Sequence, residues 1–265
     1  MMRGRATLGC LAAAVLLTGL TGAAAPAEDW GTIKGKVVWG GGKLPKREEV
    51  VVTKDKDHCL AQGKKIYKQN WVINEKNKGV RYAVVYLVDA EKYSKPLSIH
   101  PKLKEVPKKP VVMDQPRCMF EPRVVAVRQG QPLKVKNSAP ITHNSRIDGG
   151  DLGPSVNPSI PPGKSFEVPS IPARPTVIPI SCSIHPWMNG WVFSFRHPYF
   201  AVTDADGNFE IKDAPAGKYK LIIWHEEGGW VIDGTSPMRK GGKVIDIVKG
   251  KTTDLGKFEA KPITD

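Results

Sequence analysis

The chain has 265 residues, 40% of them hydrophobic, with 26 glycines, 23 prolines and four cysteines. At about 150 residues per domain, this length makes one or two compact domains with a real core, and the apolar content excludes wholesale disorder. The 40 Lys and Arg against 26 Asp and Glu give a net charge of +14, but 29 are lysines scattered without aromatic interleaving or a reader motif, which argues against nucleic acid.

Arg3 and Arg5 precede the apolar run 11–20, and Ala25-Pro26-Ala27 has the small residues of a cleavage site. Residues 1–27 are therefore expected to be an export signal. Thr18, Gly19, Thr21 and Gly22 interrupt the run before it reaches the ~20 apolar residues of a spanning anchor. The mature protein is expected to be periplasmic or extracellular, without a transmembrane segment. It keeps Cys59, Cys118 and Cys182, an odd number of thiols that leaves one for a task other than pairing.

Prolines along the whole chain break helix interiors, so strands are expected throughout. Alternation predicts a strand at 32–39, closed by the glycines 40–42, and further strands at 50–52 and 81–88, the last apolar enough to be central. Residues 92–110, rich in Lys and Pro, read as a linker or long surface loop. Residues 124–127 and 133–136 form two strands around Gln129-Gly130-Gln131, and 165–168 is a strand within the proline-heavy stretch 154–179. Residues 190–195 alternate again, 201–203 and 208–211 flank a turn at 204–207, and 218–224 and 243–248 complete the set. Asp204-Ala205-Asp206-Gly207-Asn208 has the composition of a calcium loop, but its Gly and its lack of a distal Glu favour a hairpin turn. No 3.6-residue apolar period is sustained, and the expected fold class is all-β.

Chemistry concentrates in Cys182-Ser183-Ile184-His185-Pro186-Trp187-Met188-Asn189-Gly190. Cys, His and Met at three-residue steps on a turn between strands can aim a thiolate, an imidazole and a thioether at one point. One more imidazole would complete a His2Cys plane with a long axial Met, the donor set of blue copper. His143, on an upstream loop, qualifies. Cys-x-x-His alone is half a zinc site without a matching second pair. The Cys-x-x-Cys-His of haem attachment is absent, and a nucleophilic Cys182 with His185 as base leaves the Met unexplained.

Phe120-Glu121-Pro122, Val127-Arg128-Gln129-Gly130-Gln131, Asn137, His143-Asn144, Pro162-Gly163 and the Cys182 loop occur in the order seen in small blue-copper proteins. Residues 111–197 thus resemble a cupredoxin of the plastocyanin/amicyanin type, with a ligand loop most like that of amicyanin. The resemblance implies a Greek-key β-sandwich holding one copper ion per chain as Cu+ or Cu2+. His143, Cys182 and His185 would be equatorial ligands and Met188 the axial one. Asn144 would tie the two ligand loops together. His185 would lie nearest solvent, with Pro186 and Trp187 around it as the electron-entry patch. The lead-in to Cys182 departs from the family, since Ala173-Arg174-Pro175 and residues 177–180 stand where a Pro-Gly turn and an aromatic strand are usual.

With Cys182 given to metal by that resemblance, Cys59 and Cys118 are left as disulfide partners; a second metal site of His58, Cys59 and Cys118 is the alternative. His100 is expected to be solvated, His197 structural, and His225, beside Glu226 and Glu227, a loop residue rather than a metal ligand. Residues 203–211 with Pro215-Ala216-Gly217 and 218–221 resemble a carboxypeptidase regulatory-like (transthyretin- or prealbumin-like) β-sandwich, whose opening strand resembles 31–37. The expected organisation is a signal (1–27), an N-terminal β segment (28–110), a cupredoxin domain (111–197) and a C-terminal β segment (198–265). The two flanking segments would form one sandwich. The expected function is single-electron transfer between redox proteins such as a cytochrome or an oxidoreductase, without catalysis. The alternatives are a copper carrier and a metal-free structural or carbohydrate-binding module.

Overall fold

The computed structural model describes residues 1, 29–149 and 155–263, so the expected export signal and its cleavage site lie outside the described residues. The described chain is all-β, its strands arranged in four sheets stacked through three apolar layers, with one further strand pair. In the first sheet β1 (Trp30–Trp39) lies between β13 (Asn208–Pro215), antiparallel to it, and β17 (Thr252–Ala260), parallel to it. The second contains β12 (Phe200–Val202), β2 (Val84–Asp89), β14 (Gly217–His225), β15 (Gly229–Trp230) and β16 (Lys243–Ile247). The third runs β4 (Val124–Arg128), β11 (Asn189–Phe195), β10 (Ile178–Ser181), β7 (Arg146–Ile147), with β4 and β11 parallel. The fourth places β5 (Leu133–Lys136) between β3 (Val111–Asp114) and β9 (Ser165–Val168). A short pair joins β6 (His143–Asn144) to β8 (Ser159–Ile160).

Period-two alternation explains the stacking. On β2, Val85 and Leu87 join Ile33, Val37, Phe209 and Phe258 of the first sheet, while Val84, Tyr86 and Val88 point the other way, onto Phe193 and Phe195 of the third. A strand covered on both faces reads as a continuous apolar run, and all six residues of β2 are buried. β4 repeats the device. Val124 faces the second sheet, and Val125 and Val127 face Met113, Leu133 and Val135 of the fourth. Between the second and third sheets Arg123 Nε donates to Glu226 Oε2 at 2.9 Å, with both side chains largely buried.

Several expectations are corrected. Residues 50–52 form no strand; only Glu49 bridges to Tyr67 there. The strands at 124–128 and 133–136 are not hairpin partners, because the turn between them carries the chain from the third sheet to the fourth. Residues 92–110 are not a free linker: the Arg128 guanidinium donates to the carbonyls of Leu103, Lys104 and Glu105. His100 is buried, not solvated, packing on Trp30 while its Nδ1 accepts from the Lys102 N–H. The 204–207 segment is a turn but not a hairpin, since β12 and β13 belong to different sheets, and its Asp204 Oδ1 accepts from the N–H groups of Asp206 and Asn208. Among the described residues no helix is long and apolar enough to cross a membrane.

Candidate metal centre

Cys182 directly follows β10 and Met188 directly precedes β11, so the loop between them closes a hairpin whose last pair is Ser181 opposite Asn189. The Cys182 N–H donates to the Met188 carbonyl at 3.0 Å, and the Met188 N–H donates to that of His185 at 2.8 Å. These bonds fold the loop on itself and turn residues 182 and 185 inward. His143 arrives from β6. Asn137 sets the approach to it: its fully buried amide donates to the carbonyls of Ile141 at 2.8 Å and Ile160 at 2.7 Å, and its Oδ1 accepts from the Ala139 N–H at 3.0 Å.

Three donor atoms meet. His143 Nδ1 lies 2.9 Å from His185 Nδ1, and Cys182 Sγ lies 3.9 Å and 3.8 Å from these two nitrogens. All three residues are buried. A point equidistant from the three atoms is about 2 Å from each, the length of a metal–nitrogen or metal–sulfur bond. Met188 is buried in the same apolar cluster as Cys182. The arrangement fits a single soft-to-borderline ion, and two imidazoles with one cysteine sulfur favour such an ion over hard cations.

Electrostatics keeps the imidazoles neutral. Burial, reinforced by His185, pushes His143 down to about 4. Burial also lowers His185, against the opposing pull of Asp55. Near neutral pH both rings can therefore offer a lone pair. His143 Nε2 is buried and finds no hydrogen-bond partner among the described residues, so on that side its ring is held by packing.

Asn144 reaches the Cys182 loop. Its Oδ1 accepts from the Ile184 N–H at 3.1 Å and from Cys182 Sγ at 3.2 Å, and its Nδ2 donates to Asn157 Oδ1 and to Ser183 Oγ. Gln115 supports it from behind, donating from Nε2 to the Asn144 carbonyl at 3.1 Å and to Ser145 Oγ at 3.2 Å.

One expectation is overturned here. His185 is not the residue nearest solvent; it is fully buried, and its Nε2 lies 2.8 Å from Asp55 Oδ2. Asp55 belongs to a turn of the N-terminal segment, 130 residues earlier in the chain. No spacing in the sequence pointed to it. Pro186 is exposed and Trp187 half-buried, with the Trp187 ring 5.3 Å from that of His185 and its Nε1 donating to the Cys118 carbonyl at 3.2 Å.

Cys59 and Cys118 form a disulfide, which removes their thiolates from any second metal site. Their sulfurs pack beside His185, within 4.8 Å of one of its ring nitrogens. His225 is not a loop residue but the buried last residue of β14, and it stacks on Trp71 with ring centroids 4.1 Å apart, while Glu226 is committed to Arg123, so this cluster is structural. His197 Nδ1 accepts from the Tyr199 N–H.

No family model matches the chain, and no curated protein matches it. Among solved structures, an oxidised amicyanin variant is similar at 22% identity and a TM-score of 0.31, over 34% of this chain and 87% of its own. A purple cupredoxin from Nitrosopumilus maritimus is similar at 21% identity and a TM-score of 0.27, over 32% of this chain and 98% of its own. A copper-containing nitrite reductase from Thermus scotoductus is similar at 18% identity and a TM-score of 0.30, over 38% of this chain and 25% of its own. Amicyanin and another cupredoxin are thus among the solved structures to which parts of this chain are similar.

Proposed function

We propose that this protein holds one copper ion between His143 Nδ1, His185 Nδ1 and Cys182 Sγ, with Met188 as a weak fourth donor, and carries single electrons. The observation behind this reading is the meeting of those three atoms around a point at bonding distance from each. Copper bound there would supply a one-electron couple between Cu+ and Cu2+. The chain's own residues do the rest. Asn137 and Asn144 fix the two loops before any ion arrives, and burial excludes water from the donors. A site this rigid satisfies neither oxidation state fully, which keeps reorganisation small.

In this reading the protein transforms no substrate. It works outside the cytoplasm, and its partners are redox proteins such as a cytochrome or an oxidoreductase, steered by the net positive charge toward acidic surfaces. With the His185 edge closed by Asp55, the partner-facing surface is Pro186 and Trp187. The sheets outside 111–197 serve as a regulatory-like sandwich that gives structural support.

A copper titration followed by visible absorption tests the proposal. One equivalent should produce an intense band that a mild reductant bleaches and an oxidant restores. A site that takes up Cu+ but yields no such band with Cu2+ is a carrier's, and that result would end the electron-transfer reading.

A further inference from the structure

The turn that covers His185 is built unusually. Asp55 stands at the start of the helical turn α1 (Lys56–Cys59), where an Asp side chain ordinarily accepts from the first free N–H groups. It makes no such bond, and its backbone is left-handed, with φ 50° and ψ 40°. Its Oδ2 instead takes the hydrogen bond of His185 Nε2. A cap side chain withdrawn from its helix and a backbone in a sparsely populated region are both local costs, and such outliers collect where geometry serves a site. The turn is also anchored. Cys59 at its end is bonded to Cys118, whose carbonyl accepts from Trp187 of the ligand loop.

We infer that Asp55 is a positioning residue for the metal centre. Its carboxylate holds the His185 proton on Nε2, which leaves the Nδ1 lone pair facing Cys182 and His143. Its charge also lies one imidazole away from the ion and favours the more oxidised state. This deepens the copper reading and rests on it. A carboxylate on the far nitrogen of a ligating imidazole fixes the tautomer and raises the basicity of the near nitrogen. Burial opposes protonation of His185, as do Lys54 and His58, whereas Asp55 favours it, and His143 and Cys182 face the other ring nitrogen.

Three variants separate the parts of this role. Asp55→Ala removes acceptor and charge, Asp55→Asn keeps an acceptor without charge, and Asp55→Glu restores both on a longer arm. Imidazole 15N resonances of the metal-free protein at neutral pH should show the Nε2–H tautomer of His185 in the parent and in Asp55→Asn, and a mixture in Asp55→Ala. Affinity for Cu2+ should fall about 10–100-fold in Asp55→Ala. The midpoint potential should rise in both the Ala and Asn variants, and Asp55→Glu should recover part of each change. Unchanged resonances, affinity and potential in Asp55→Ala would overturn the inference. If the parent binds no copper the proposed function fails, whereas a His185 tautomer indifferent to Asp55 refutes the positioning role by itself.

Discussion

In the proposed copper centre Cys182 would carry the colour and much of the affinity, because its sulfur is the softest donor of the set and Asn144 holds its loop through the Ile184 N–H. Cys182→Ser should abolish the intense visible band while circular dichroism and the unfolding midpoint stay close to the parent. Met188 acts differently. It is almost fully buried, and leucine conserves its volume, so Met188→Leu should cost less than about 1.5 kcal/mol of stability. The band should survive and the potential should shift, because only a long axial bond is lost. Loss of copper binding in Met188→Leu, read by titration, would mean that the thioether is a principal ligand. Asn144→Ala should weaken copper binding about 10–100-fold through the loosened loop, measured by competition with a chelator.

At the scale of elements, the turn 55–59 depends on the disulfide. The bonded cysteines are 59 residues apart, and a closed loop of that length is worth about 4 kcal/mol in the chain-entropy picture. A Cys59→Ala, Cys118→Ala double variant should lose stability of that order in denaturant unfolding. Arg123 and Glu226 join the second and third sheets, so Arg123→Ala should cost about 3–5 kcal/mol by leaving a buried carboxylate unpaired. The ligand loop was legible because Cys, His and Met lie within seven residues and have few uses together. Strand β2 was legible because two-sided burial leaves an unbroken apolar run. β17 was not: Thr252–Ala260 is polar, is interrupted by Gly256 at φ 74°, and gains its order from parallel pairing with β1 at the other end of the chain. Asp55 was illegible for the same reason, since its partner is distant and acidic residues on surface turns are common.

Across the whole molecule, buried neutral histidines set the response to acid. His225 is held down to about 3 and His197 to about 4, each mainly by burial and secondarily by a neighbouring arginine; His143 is also held near 4. All three lie below the unfolded value of about 6.5, so the unfolded chain takes up protons first. Their contribution is complete above about pH 6.5 and is lost progressively as pH falls toward 4. Urea unfolding of the metal-free protein between neutral pH and pH 4 should show this decline, and His225→Phe should flatten part of it. The central claim is most directly tested by X-ray absorption of the copper-loaded protein. The predicted spectrum has two nitrogen scatterers and one sulfur scatterer at about 2 Å. A first shell of oxygen and nitrogen alone, without a short copper–sulfur distance, would contradict the account.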